Sequence, residues 1–355
     1  MKKIRFDNFV SLNRGFDLPD DKIVEGKYPV VASTSIKAYH NQFKVRAPIV
    51  VTGRSGSLGK VQYVAEDGWP LNTALYAKNF HGNNPKYVYY FLQTMHLEQY
   101  NAGVGVPTLN QNHLHSLKIL IHDLPTQKKI ASILSAYDDL IQNYKKQIEA
   151  LQTAASELYK EWFVRFRFPG YKNSRFENGI PEGWKISLAS ELGEFIRGKN
   201  ITAEEMKEGM IPVISAGIEP SGFHNQSNVK GVSLTISNSG ANAGYLQINY
   251  SDIWAADCSY CNSAKHIYFY YELLNNMRVV LFNLQKGAAQ PHVYAKDINK
   301  MKILLPSTEL IGTANKKIKL MHEKIYSLQQ QITNLTQQRD LLLPRLMSGK
   351  LEVLK

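Results

Sequence analysis

The glycine-rich run at residues 53–60, GRSGSLGK, is the stretch of the sequence that most suggests chemistry. Loops of this kind cradle phosphates when their spacing is G-x-x-x-x-G-K-[ST]. Here the spacing differs and Val61 follows the lysine, so we interpret the run as a turn between two strands. Its Arg54 and Lys60 are nevertheless candidates for DNA contact, since arginine is the usual reader of guanine edges and lysine commonly binds phosphate.

Two further groups of polar and aromatic residues have the composition of nucleic-acid-binding loops. Such mixtures suit base edges and phosphates, and they equally suit any solvated loop. The candidates are Tyr39, Lys44 and Arg46 in the first half of the chain and His224, Gln226 and Lys230 in the second.

Cys258 and Cys261, with His266 nearby, have the spacing of half a zinc site. A complete structural site needs four ligands, and the first half of the chain has no equivalent pair. We therefore predict no metal and interpret both cysteines as free thiols in or near a core.

The sequence lacks the motifs of the enzymes that modify or cut DNA. Amino-methyltransferases carry an Asp/Asn-Pro-Pro-aromatic motif, and the nearest run, residues 84–87 (NPKY), has no second proline. The chain also has no convincing nuclease carboxylate arrangement and no helicase Walker motif. It is predicted to be catalytically inert by itself.

The elements that must position these candidates occur twice in the sequence. Arg14-Gly15 recurs as Arg197-Gly198, and residues 52–56 (TGRSG) align with residues 236–240 (ISNSG), which places Asn238 opposite Arg54. The same offset of about 184 pairs Gly103 with Gly287, Pro107 with Pro291 and residues 118–120 with residues 302–304. The order of globule and long helix therefore repeats as a tandem duplication.

Each globule is predicted to be α+β. In the first, residues 48–53, 60–65 and 117–121 have strand composition, and residues 85–100 a helix that begins at Pro85. In the second, residues 233–240, 264–271 and 301–306 are predicted strands and residues 272–285 the matching helix.

Each long helix carries an apolar heptad seam with a solvated opposite face. One seam starts after Pro125, the other after Ser307, and Arg339 is the one charged exception. Two such seams in one chain predict an antiparallel intramolecular coiled coil about 48 Å long, or roughly 14 base pairs of DNA. The seam residues include Ile130, Leu134, Ile141, Ile148, Leu151 and Leu158, and Ile318, Ile325, Leu328, Ile332 and Leu335.

Composition is compatible with a polyanionic partner. The 355 residues carry 42 Lys+Arg against 30 Asp+Glu, a formal charge of +12 that is spread along the chain. The two cysteines favour a reducing compartment, and no signal peptide or membrane span is recognisable, so we expect a soluble cytoplasmic protein.

Four strings resemble the specificity subunit of type I restriction-modification systems: LPTQKKIASILSAYDDLI, ELYKEWFVRFRFPGY, GIPEGWK and the terminal LLPRLMSGKLEV. The resemblance covers essentially the whole chain, although no counterpart of residues 181–184 (PEGW) precedes the first globule. It implies a target recognition domain at 1–125, a central spacer helix at 126–165, a second target recognition domain at 166–307, and a distal helix and tail at 308–355.

The resemblance also implies the partners. Each globule would read one half of a bipartite site on double-stranded DNA, and the paired helices would set the gap and bind two modification (methyltransferase) subunits. Those subunits would carry S-adenosylmethionine and methylate adenine, while restriction subunits would add translocation and cleavage driven by ATP with Mg. No cofactor is expected on this chain.

The resemblance further places two matching Gly-x-x-x-Pro loops, residues 103–113 and 286–294, near the DNA or near the join to the helix. Asn110, Lys286 and Gln290 are the candidates there, and the alternative is a purely structural turn before the last strand of each globule.

Two other functions compete with this interpretation. The chain could itself be a methyltransferase or nuclease, which the missing motifs disfavour. It could instead be a coiled-coil adaptor that binds only proteins, and its DNA binding would then show neither steep salt dependence nor sequence preference.

Overall fold

The computed structural model describes residues 1–103, 105–287 and 290–353. They fall into two compact units, Met1–Asn143 with Gln331–Lys355 and Tyr144–Gln330. Each unit therefore contains one folded module and part of both long helices. Val104, Ala288 and Ala289 of the two matching loops, and Leu354 and Lys355 of the expected tail, lie outside the described residues.

The first module is built on a four-stranded sheet with a second, three-stranded sheet beside it. The strand orders are β2-β8-β5-β6 and β4-β3-β7, and β1 pairs separately with β9. Its elements are β1 (Lys2–Arg5), α1 (Phe6–Phe9), β2 (Ser11–Arg14), β3 (Tyr28–Val31), β4 (Ile36–His40), β5 (Ile49–Gly53), β6 (Val61–Val64), β7 (Trp69–Pro70), β8 (Ala74–Asn79), α2 (Pro85–Gln93), α3 (Gln111–Ser116) and β9 (Lys118–Ile121).

The second module has the same plan. Its elements follow the first long helix, α4 (Leu124–Tyr159), and precede the second, α8 (Thr308–Met347). They are β10 (Phe176–Glu177), β11 (Ile180–Pro181), β12 (Lys185–Leu188), β13 (Ile196–Arg197), β14 (Ile211–Ile214), β15 (Gly222–His224), β16 (Ser233–Ser237), β17 (Leu246–Asn249), β18 (Trp254–Ala255), β19 (Cys258–Cys261), α5 (Ile267–Asn276), α6 (Arg278–Asn283), α7 (Ala295–Asn299) and β20 (Lys302–Leu305).

The strand orders β13-β19-β16-β17 and β15-β14-β18, with β12 paired to β20, repeat those of the first module. Strands β5 and β16 are central in their sheets and buried at every residue. The sequence of β5 (IVVTG) is largely apolar, whereas β16 (SLTIS) also buries the polar residues Ser233, Thr235 and Ser237. The tandem duplication and the α+β fold predicted from the sequence are confirmed.

In the first unit, both long helices pack onto the module. Ile130 and Leu134 of α4 belong to the same buried cluster as Leu343 and Leu346 of α8, together with Tyr87 of α2. Farther along α4, Asp138 contacts Arg339, which precedes those residues on α8. Because contacts move forward along α4 as they move backward along α8, the two helices are antiparallel, as predicted.

In the second unit, the later part of α4 meets the earlier part of α8. Ala155 and Tyr159 share a buried cluster with Ile311 and Ile318, and the ring centroids of Tyr159 and Phe269 of α5 lie 5.7 Å apart. The α-helical part of α4 ends at Tyr159 and continues as one π-helical turn, Lys160–Val164.

A buried polar group also ties α8 to the second module. Nε2 of His322 lies 3.2 Å from a carboxylate oxygen of Glu272, and both side chains are 2% exposed. The other ring nitrogen of His322 lies 2.8 Å from the hydroxyl of Tyr250. Burial, the largest cause, raises the pKa of Tyr250, which therefore stays protonated and able to hydrogen bond.

Three secondary-structure predictions need correction. Residues 264–271 were predicted as a strand, but Ile267–Asn276 is helix α5. The helix is buried on most of its surface, including Tyr268, Phe269 and Tyr270, so its apolar run shows no clear period and its aromatic residues favour a strand locally.

The two other corrections concern a helix that ends early and a helix that is interrupted. The helix predicted for residues 85–100 stops at Gln93, because His96 adopts a left-handed conformation with φ of 49° before a short 3-10 turn. The helix predicted for residues 272–285 is interrupted at Met277, between α5 and α6.

Among the described residues, no helix combines the length and apolar character needed to span a bilayer.

Candidate nucleic-acid interface

In the first module, the loop after β5 is joined to a later loop by a fixed set of backbone hydrogen bonds. The N–H of Arg54 donates to the carbonyl of Thr73 at 2.9 Å, and the N–H of Gly56 to that of Pro107 at 3.0 Å. The N–H of Leu109 donates to the carbonyl of Arg54 at 2.8 Å, and Ser55 forms a β-bridge with Thr108. We call Arg54, Ser55, Thr73 and Thr108 the first-module junction.

The second module repeats this set bond for bond. The N–H of Asn238 donates to the carbonyl of Asp257 at 3.3 Å, that of Gly240 to Pro291 at 3.1 Å, and that of Val293 to Asn238 at 2.9 Å. Ser239 forms the β-bridge with His292. Asn238, Ser239, Asp257 and His292 form the second-module junction.

The repeated Arg-Gly pairs have a steric cause. A Cβ on Gly15 would lie 2.2 Å from the carbonyl oxygen of Leu71, and one on Gly198 would lie 2.5 Å from those of Ala255 and Ala256. Two main chains therefore approach each other at these points, and only glycine fits. This close approach holds the residue before each glycine, Arg14 or Arg197, at the end of a strand.

Arg54 and Lys60, the two cations of the glycine-rich run, differ in exposure and hydrogen bonding. Arg54 is half-buried, and its guanidinium donates to the carbonyl of Asn72 at 3.2 Å. Lys60 is exposed. Asn110 is also exposed, but its side-chain oxygen accepts from the N–H of Asn112 at 2.9 Å, so it caps α3.

Tyr39, Lys44 and Arg46 all lie on the surface of the first module. The Tyr39 ring is 51% exposed, and the ammonium of Lys44 lies 4.9 Å from the centroid of the Trp69 ring. Each of these three residues is exposed and is of a type that commonly contacts a nucleic-acid backbone.

Two candidates of the second module point into it. His224 is 5% exposed; its Nδ1 accepts from the N–H of Lys207 at 3.0 Å, and its ring packs edge-on against Trp254 at 5.0 Å. His40 makes the equivalent contacts with Val24 and Trp69 in the first module.

Asn238 is 6% exposed and accepts from the hydroxyl of Ser259 at 2.7 Å. The side chains of His224 and Asn238 therefore support the module from inside.

The remaining candidates of the second module are exposed. Gln226 and Gln290 lie on the surface. Lys230 pairs with Asp252 at 2.8 Å and Lys286 with Asp297 at 2.7 Å. The lysines are 77% and 58% exposed, whereas Asp252 and Asp297 are 35% and 19% exposed, so each pair holds a surface lysine against a partly buried carboxylate.

The sequence interpretation missed Thr73 and Asp257, although each contributes to a junction. Thr108 and His292 lie in the two loops that it named, but it did not choose them as candidates. Applying the offset of the repeat to polar residues as well as to glycines would have paired Thr73 with Asp257 and Thr108 with His292.

The cysteine pair has the environment of a core. Both Cys258 and Cys261 are buried free thiols, and burial, the largest cause, raises the pKa of Cys258 to about 12. A thiol that stays protonated is a poor metal ligand. Within the described part of the chain, no three His, Cys, Asp or Glu side chains come close enough to hold a metal ion.

The helix seams are buried to different degrees. Six of the seam residues named above are buried and five are half-buried. The buried ones are Ile130, Leu134, Ile141, Ile318, Ile325 and Leu328, and the half-buried ones are Ile148, Leu151, Leu158, Ile332 and Leu335.

The repeated arrangement of this chain matches a known protein family. The family model described as the type I restriction modification DNA specificity domain matches residues 3–153 and 181–342, once over each half of the chain. The chain belongs to this family.

Among relatives in the specificity family, the type I restriction enzyme MjaIX specificity subunit of Methanocaldococcus jannaschii is 28% identical over 346 residues, covering 87% of this chain and 78% of that protein. The HindI specificity subunit of Haemophilus influenzae is 22% identical over 331 residues, covering 69% and 71%.

The crystal structure of the S subunit of a type I restriction-modification system from M. genitalium has a similar fold. Its TM-score is 0.70 at 20% identity, with 98% of this chain and 96% of that chain covered.

Proposed function

We propose that this chain is the DNA-reading subunit of a type I restriction-modification complex. Each module reads one half of a site in two parts, and separate modification subunits methylate adenine. The observation that carries the proposal is the repeated junction, in which one backbone frame presents two different sets of side chains. That arrangement suits recognition of two different short sequences.

Charge supports DNA as the partner. The net charge is +12, and Lys44, Arg46 and Lys60 are exposed in the first module. Neutralising phosphates supplies affinity without sequence choice, whereas the junctions offer the hydrogen-bonding groups that distinguish bases.

The long helices support protein partners. A helix seam that is buried along only part of its length leaves apolar surface for a further helix. The half-buried residues Ile148, Leu151, Ile332 and Leu335 have this character. We propose that they complete four-helix packing with helices from two modification subunits.

In this proposal the partner subunits, and not this chain, carry out the catalysis. The modification subunits carry S-adenosylmethionine, and restriction subunits, where present, use ATP and Mg to translocate and cleave DNA. The chain itself contributes recognition and assembly.

Reconstitution with labelled S-adenosylmethionine and DNA tests the assignment. Methyl transfer is expected only when this chain and the modification subunits are combined, and transfer by the purified chain alone would overturn it. DNA binding with no sequence preference and no salt dependence would instead favour the protein-adaptor alternative.

A further inference from the structure

The two junctions share one backbone arrangement but differ in charge. The carbonyls of Thr73 and Asp257 accept equivalent bonds, from the N–H groups of Arg54 and Asn238. Serine occupies the next position in both modules, as Ser55 and Ser239. The first-module junction therefore presents a cation at Arg54, and the second-module junction presents a carboxylate at Asp257.

The carboxylate of Asp257 is held in place on one side only. One of its oxygens accepts from the hydroxyl of Ser239. The other oxygen receives no hydrogen bond from any residue that the structure describes. The side chain is half-buried, so one oxygen is oriented by the protein while the other is available to a ligand.

Asp257 lines a cleft of about 460 Å³. Other residues that line it are Arg197, Ser215, Gln290 and His292. The cleft also contains Glu205, but this carboxylate accepts from the N–H of Thr202 at 2.8 Å. Asp257 likewise accepts one hydrogen bond, but it is half-buried and fixed within the junction, whereas Glu205 is exposed. Asp257 is therefore the more firmly oriented acceptor in the cleft.

A carboxylate near DNA is repelled by the phosphates, so it is favourable there only when a hydrogen bond that it accepts offsets the repulsion. An ionised carboxylate has acceptors only. In the major groove, cytosine offers the N4 amino donor, guanine and thymine offer acceptors, and adenine offers its N6 donor beside the N7 acceptor. Cytosine is the base that matches a lone carboxylate best.

We infer that Asp257 reads the N4 amino group of a cytosine in the half-site of the second module, whereas Arg54 reads a guanine in the half-site of the first. The two equivalent junctions thus have opposite hydrogen-bonding preference. This inference rests on the proposed function and adds to it the bases that each module selects.

Methylome sequencing of cells that express the full complex tests the inference. Four versions of this chain are compared: wild type, Asp257→Asn, Asp257→Thr and Arg54→Gln. The asparagine keeps an oxygen for Ser239 and turns an NH₂ donor toward the base. Asp257→Thr serves as a second variant, because Thr73 occupies the equivalent position in the first module.

In the wild type, we expect a C·G pair in each half of the split motif. Asp257→Asn should reduce the preference for cytosine at one position about tenfold or more, and leave the other half unchanged. Arg54→Gln should relax one guanine in that other half.

An unchanged motif in both Asp257 variants would overturn the inference, and so would a wild-type half-site that lacks C·G pairs. Loss of the whole second half-site would also overturn it, because Asp257 would then be structural. A wild-type methylome with no split motif would contradict the proposed function instead.

Discussion

The guanidinium of Arg339 on α8 lies 2.6 Å from the carboxylate of Asp138 on α4. The two side chains are 24% and 25% exposed, and the hydroxyl of Tyr90 on α2 donates to the same carboxylate at 2.5 Å. The one charged residue in the second heptad seam therefore joins both long helices to the first module.

Replacing Arg339 with methionine should destabilise the first unit by about 1–3 kcal/mol, because the partly buried charge of Asp138 would lose its partner. Urea unfolding measures the change. Asp340→Asn is the matched control, since Asp340 is the other partner of Arg339 but is 56% exposed. A loss no larger than that of the control would contradict this role for the ion pair.

Gly15 and Gly198 should not tolerate alanine. The added Cβ would lie 2.2 Å from a carbonyl oxygen at Gly15 and 2.5 Å at Gly198, so the main chains must separate. We expect a loss of about 1–3 kcal/mol in each variant, with hydrogen exchange rising in the affected module.

Gly105→Ala is the control for both substitutions, because its added Cβ would have no heavy atom of the described residues within 4 Å, apart from its own chain neighbours. Equal stability of the wild type and all three variants would show that the close approach of the main chains is not needed.

Ile148→Lys and Ile332→Lys should each abolish co-purification with the modification subunits. Both isoleucines are half-buried seam residues, and a charge would be unfavourable in a helix interface. Ile186→Lys is the control, since Ile186 is 67% exposed on β12. Unaltered co-purification of the Ile148 and Ile332 variants would place the subunit interface elsewhere.

Lys44→Ala combined with Arg46→Ala should weaken binding to all DNA sequences equally. If both residues bind phosphates, the slope of log affinity against log salt should become shallower by about 0.9 for each phosphate that is no longer neutralised. Lys316→Ala combined with Lys317→Ala is the control, because it removes the same charge from exposed residues of the long helix α8. An altered methylation motif in the double variant would indicate that these side chains read bases instead.

The sequence correctly predicted that the elements repeat, but it did not always predict whether an element is a helix or a strand. The glycines of the repeat and the two heptad seams were recognisable because each follows from a local requirement, a close approach of main chains or an apolar stripe. Helix α5 was mistaken for a strand because most of its surface is buried, which removes the helical period from the pattern.

The interface residues were harder to predict, because the sequence does not show which polar side chains are buried. His224 and Asn238 are polar residues in equivalent loops, yet their hydrogen bonds are made inside the module. The sequence did not indicate Asp257 as a candidate. Its place in the junction depends on the backbone bond from Asn238 and on the hydrogen bond from Ser239, and neither can be recognised in the sequence.

Methylome sequencing of host cells with and without this gene tests the central claim most directly. The account predicts an adenine-methylated motif made of two specified parts and an unspecified gap, which disappears when the gene is deleted. A continuous motif that depends on the gene, or a methylome that deletion leaves unchanged, would contradict the account.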